Sequence, residues 1–100
     1  MFALIVELEV KPAFDQELEK VLQTLVDLSQ HEAATIFYAA HSSQDRPHFY
    51  VLYEQYADRA AWEAHLADAA VQSELKRFDT LLAAPPAINF LNAIASSLPK

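Results

Sequence analysis

Residues 2–10 alternate: Phe2, Leu4, Val6, Leu8 and Val10 point one way, and Ala3, Ile5, Glu7 and Glu9 the other. This period of two predicts a strand with one wholly apolar face, closed by Pro12. Over residues 14–30 the period becomes helical. Phe14, Leu18, Val21, Leu22, Leu25 and Leu28 recur at three- and four-residue spacing, with Asp15, Glu17, Glu19 and Lys20 on the wet side. Two β-rich runs, residues 35–41 and 48–56, flank a polar loop at 42–47 whose Ser, Gln, Asp and Pro are turn formers, so they predict a hairpin. Asp58 is placed to cap a helix on which Trp62, His65 and Leu66 share a face. That pattern pauses at Asp68 and resumes through Val71, Leu75, Phe78, Leu81 and Leu82 until Pro85 and Pro86 stop it. A last alternation, residues 87–94, sets Ile88, Phe90 and Asn92 to one side. The order β-α-β-β-α-β predicts an α+β, ferredoxin-like fold, with two helices on one face of a four-stranded antiparallel sheet.

The second and third strands carry apolar and aromatic groups on both faces. A two-layer monomer would leave one of those faces wet, so a second copy of the chain is expected to cover it. The hundred residues are expected to form one domain over 1–95, with 96–100 a small polar tail that frays.

Composition narrows the partners. The formal charge is −7, with 7 Lys plus Arg against 14 Asp plus Glu and no basic cluster. Such a surface repels phosphate backbones and anionic membranes, so neither nucleic acid nor membrane is an expected partner. There is no cysteine, which excludes disulfides and thiolate chemistry. No basic n-region with a long apolar run follows Met1, and no stretch is long enough to span a bilayer, so a soluble cytoplasmic protein is expected. Glycine is also absent, so every turn is built without the residue that reaches positive φ most cheaply. Prolines at 12, 47, 85, 86 and 99 punctuate the chain in its place.

The chemistry-bearing residues gather between positions 32 and 72. Trp62 and His65, three apart on a helix, can face one cavity, with the imidazole available as acid or base near neutral pH. The bland alternative makes Trp62 core and His65 a hydrogen-bonding residue at its edge. Tyr38 and Tyr53 each offer an apolar ring and a polar tip suited to a phenolic ligand, although strand tyrosines also pack without one. Glu7 and Glu54 are acids on otherwise apolar strands; burial would raise the pKa of either and suit it to act as a base, and the bland alternative places them at the sheet edge or a dimer interface. His41 and His48 can oppose each other across the hairpin base, which is too few ligands for a metal. His31, just after the first helix, suits its negative end. No metal, cofactor or chromophore is expected.

Three stretches, VELEVKP at residues 6–12, YVLYEQYAD at 50–58 and AAWEAHLAD at 60–68, are similar to the antibiotic biosynthesis monooxygenase domain family, which includes small quinol monooxygenases. The resemblance implies ferredoxin-like monomers paired sheet to sheet into a dimeric α+β barrel. It also implies oxygenation of electron-rich phenols and quinols without metal or flavin, in a cavity between sheet and helices. By that likeness Glu7 matches the acid of the first strand, Tyr38 the tyrosine of the second, Tyr53 and Glu54 the Tyr-Glu pair of the third, and His65 the helix histidine. The chain departs from the family at Pro12-Ala13, in place of Pro-Gly, and at Glu32-Ala33-Ala34, in place of Glu-Pro-Gly. It departs again at Tyr56, in place of tryptophan, and at Ala70, in place of a downstream histidine. The Asn, Trp and His pattern of haem-degrading relatives is absent.

Two functions of different class therefore stand. The first is a cofactor-independent monooxygenase of small aromatic or quinol substrates, with His65 catalytic and Tyr38, Tyr53, Trp62 and Glu54 binding the substrate. The second is a non-catalytic dimeric module that binds a small apolar ligand or serves a stress response. An open cavity lined by Tyr38, Tyr53, Trp62 and His65 favours the first, and a filled core favours the second.

Overall fold

A computed structural model describes residues 1–98; positions 99 and 100, which include Pro99 and the end of the expected tail, lie outside the described residues. The elements run β1 (Phe2–Glu9), α1 (Asp15–Ser29), β2 (Thr35–Ser42), β3 (Phe49–Tyr56), α2 (Arg59–Ala67), α3 (Ala69–Leu75), α4 (Phe78–Leu81) and β4 (Ala87–Asn92). The strands form one antiparallel sheet in the order β2-β3-β1-β4. This is the ferredoxin-like α+β arrangement expected from the periodicities, with the second helical segment divided into three.

The division follows from local hydrogen bonding. Asp58 caps α2 by accepting from the Ala61 N–H at 2.8 Å. Asp68 then ends α2 and caps α3, its Oδ2 accepting from the N–H groups of Ala70 at 3.0 Å and Val71 at 3.1 Å. A cap of this kind is worth about 1 kcal/mol, enough to favour a restart over a continuous helix. Leu82, expected to continue the helix, leaves it instead and bridges Val10. Phe14, expected on the buried face of α1, stands before the first helical turn and is 42% exposed.

β1 and β3 sit in the middle of the sheet, and their alternating residues Leu4, Val6, Leu8, Tyr50, Leu52 and Tyr56 are buried beneath the helices. From α1, Leu18, Val21, Leu22 and Leu25 close over them. The hairpin base is tied to α1 by a polar cluster: His48 Nδ1 lies 2.7 Å from Asp15, and the Tyr50 hydroxyl shares its one proton between Asp15 at 3.0 Å and Glu19 at 2.8 Å. Burial raises the Asp15 pKa, but the hydrogen bonds from His48 and Tyr50 outweigh it and hold the carboxyl below its usual range.

The opposite sheet face bears Phe37, Val51, Tyr53 and Gln55, with the Phe37 and Tyr53 rings 5.9 Å apart. Phe37 is 39% exposed there. Gln55 is buried on this face, donates to the Met1 sulfur, and leaves its Oε1 without a partner among the described residues.

Two turns take the left-handed conformation without glycine, at Ala13 (φ 78°) and His48 (φ 63°). Among the described residues no helix is long and apolar enough to cross a membrane.

Candidate functional site

α2 presents Trp62, His65 and Leu66 along one face, as their spacing requires, and its cap fixes how that face meets the sheet. His65 is 4% exposed. Its Nδ1 lies 2.9 Å and 3.0 Å from the two oxygens of Glu32. Glu32 sits in the short connection between α1 and β2, where its backbone N–H donates to Ser29 and its carbonyl accepts from Thr35. The Thr35 hydroxyl donates to the same carboxylate at 2.8 Å. A carboxylate accepts only, so Nδ1 carries a proton, and in the neutral imidazole the lone pair is the one on Nε2.

The imidazole lies between two tyrosines, with the rings of Tyr38 and Tyr56 each 5.5 Å from it. Tyr56 donates its hydroxyl to Glu54 Oε1 at 2.7 Å. Glu54 is buried, and it is the direct cross-strand neighbour of Tyr38, so both side chains stand on the helix side of the sheet. Burial pushes the Glu54 carboxyl up; the Tyr56 hydrogen bond and the nearby imidazole oppose this without cancelling it, and the Glu32 charge adds to it. Burial, followed by the charges of Glu54 and Glu32, also raises the phenols of Tyr38 and Tyr56, which stay protonated across the ordinary pH range.

Tyr38, Glu54, Trp62 and His65 line one cavity of about 280 Å³. Its walls are apolar: Leu4, Val6 and Leu52 from the sheet, and Leu66, Leu75 and Phe78 from the helices. Trp62 meets Phe90 edge to face at 5.2 Å and packs on Phe2 at 5.4 Å, which holds the indole at the cavity wall. A larger groove of about 430 Å³ runs between α1 and β2. It is the poorer candidate: the imidazole in its lining, His41, is turned to the Val51 carbonyl at 3.3 Å, with no carboxylate partner among the described residues.

Four of the five expected site residues therefore share a cavity, and Tyr53 does not. Consecutive strand residues face opposite ways, so a strand that aims Glu54 at the helices aims Tyr53 at the other side of the sheet. Glu7 is exposed on that same far side. His41 and His48 are not opposed either: the register pairs His41 with Val51, while His48 lies in the turn and binds Asp15. Among the described residues no group of three or more His, Cys, Asp or Glu is placed to hold a metal ion. Glu32 lies in a segment with no periodicity, so nothing in the pattern pairs it with His65; its signals are an acid in a short loop and the retained acid of the family's Glu-Pro-Gly stretch.

The four-stranded antiparallel sheet with its helices on one face defines the molecule's class as ferredoxin-like α+β. The chain belongs to the antibiotic biosynthesis monooxygenase family, whose model matches residues 1–74. Solved structures agree in fold. A Mycobacterium tuberculosis protein is 22% identical with a TM-score of 0.89, covering 96% of this chain and 97% of its own. A Pseudomonas aeruginosa protein is 28% identical with a TM-score of 0.86, covering 94% of each. A protein of unknown function from Nitrosomonas europaea is 29% identical with a TM-score of 0.86, covering 99% of this chain and 94% of its own. No curated protein matches the chain.

Proposed function

We propose that this protein is a cofactor-independent monooxygenase of small aromatic or quinol-type substrates, working as a homodimer. The observation that carries the reading is the His65–Glu32 couple, an imidazole oriented by a carboxylate at 2.9 Å and set in the wall of an apolar cavity. Nε2 of His65 takes a proton from the bound phenol or quinol, and Glu32 stabilises the imidazolium that forms. The electron-rich anion passes an electron to O₂, the two radicals join through a C–O bond, and the O–O bond breaks. One oxygen atom stays as a ring carbonyl as the C–H bond at that carbon breaks, and the other leaves as water with that proton and the hydroxyl proton, so the substrate supplies all four electrons and ends at the quinone level.

The tyrosines are poor rivals for the proton, because raised phenol pKa values make them donors rather than bases at neutral pH. Tyr38 and Glu54 instead bind the substrate oxygen, and Trp62 packs on its ring. Dimerisation is supported by the half-covered aromatic face around Phe37 and Tyr53.

The test is oxygen uptake by purified, metal-free protein supplied with hydroquinones and naphthols. Consumption that depends on His65 supports the reading. Saturable ligand binding with no uptake across the panel would replace it with the ligand-binding module.

A further inference from the structure

The two ends of the cavity differ in chemistry. At the closed end stand Tyr38, Glu54 and His65, all buried. At the open end lie Asp79, Pro86 and Ile88, all exposed. Between them the lining is hydrocarbon and indole, and among the described residues no lysine or arginine contributes to it. Arg59 stacks near Trp62, but its guanidinium is paired with Glu63 at 3.6 Å and does not line the cavity. The volume of about 280 Å³ lies near the lower end of ligand pockets, roughly 300–1,000 Å³, which suits one or two fused rings.

We infer that the cavity selects uncharged phenols entering hydroxyl first, rejects analogues with an anionic group at the far end, and owes this discrimination to Asp79 at its mouth. A hydroxyl reaching the closed end meets a phenol, a carboxyl and an imidazole, which together can donate to it and accept from it. A carboxylate or sulfonate on the trailing ring loses water against apolar walls, finds no cation in the lining, and stands beside the Asp79 carboxylate. The inference rests on the monooxygenase reading in one respect, that the ligand is a phenol or quinol.

Calorimetric titration with 2-naphthol and 6-hydroxy-2-naphthoate tests it, because the two differ by one carboxylate at the ring end remote from the hydroxyl. The wild-type protein is expected to prefer 2-naphthol by roughly tenfold or more at neutral pH, the scale of one like-charge contact near a surface. Asp79→Lys should cut that ratio by roughly tenfold, and Asp79→Asn, nearly isosteric and so little threat to folding, by an intermediate factor. Equal affinities in the wild type, no binding of either probe, or a ratio unmoved in both variants would overturn the inference. Binding does not require turnover, so the two readings fail separately. Selective binding without oxygen uptake removes the oxygenase and keeps the charge selection; oxygen uptake with equal affinities does the reverse.

Discussion

His65 and Glu32, thirty-three residues apart in the chain, meet at 2.9 Å, with the Thr35 hydroxyl completing the carboxylate's contacts at 2.8 Å. If the couple moves a proton, His65→Ala should lower turnover of a responsive quinol by roughly 10²–10⁴-fold, the range for a positioned acid or base. Glu32→Gln should lower kcat by roughly 10- to 10³-fold and leave KM within a few-fold, because Glu32 acts on His65 and not on the substrate. Steady-state oxygen uptake reads both parameters. Wild-type kcat in His65→Ala would remove the couple from the mechanism.

Glu54 gives a pH dependence with a definite sign. Burial raises its folded-state pKa above the ordinary 4.5, so folding favours the protonated form. Its contribution is fully present below pH 4.5 and is lost as pH rises through the folded value. Glu54→Gln keeps an acceptor for the Tyr56 hydroxyl and cannot ionise. Urea midpoints should therefore fall less from pH 5 to pH 8 in the variant than in the wild type. Parallel profiles would mean that Glu54 ionises as freely folded as unfolded.

Ala13 holds φ at 78° in an exposed turn, where a Cβ costs about 1–2 kcal/mol that glycine avoids. The looser unfolded chain of a glycine variant returns part of this. Ala13→Gly should raise stability by a net ~0.5–1 kcal/mol, or a few degrees in Tm for a domain of this size. Differential scanning calorimetry checks it, and a lower Tm would contradict the strain.

The chain mass is 11.2 kDa, and sedimentation at micromolar concentration should give about twice that. Phe37→Asp places a charge on the face opposite the cavity and should shift the species to monomer, since an unpaired charge buried at an interface costs several kcal/mol. A wild-type monomer would end the dimer proposal.

Elements were legible where a period repeats. The alternation of Leu4, Val6 and Leu8 and the helical spacing of Leu18, Val21, Leu22 and Leu25 each have one face to bury, and the sheet and α1 followed from them. Asp68 was legible as a pause because its side chain can cap. The irregularity in pairing between Thr35 and Phe37 had no such signal, nor did the departure of Leu82 to Val10, since both depend on contacts distant in sequence. At the site, the grouping of Trp62 with His65 came from helical spacing and the structure holds it. Tyr53 and Glu54 are adjacent on a strand, so their side chains face opposite ways and cannot line one cavity. Glu32 needed the third dimension.

Alternation along β3 also divides the strand's labour residue by residue. Leu52 and Glu54 answer to the cavity, while Val51 and Tyr53, their immediate neighbours, answer to the far side of the sheet. A substitution scan along this strand should thus yield two interleaved phenotypes, one in ligand affinity and one in the behaviour of the opposite face, rather than a single hot region. Deleting one residue would shift the register by one and exchange every side chain between the two environments at once. The strand should therefore accept changes of residue far more readily than any change of length.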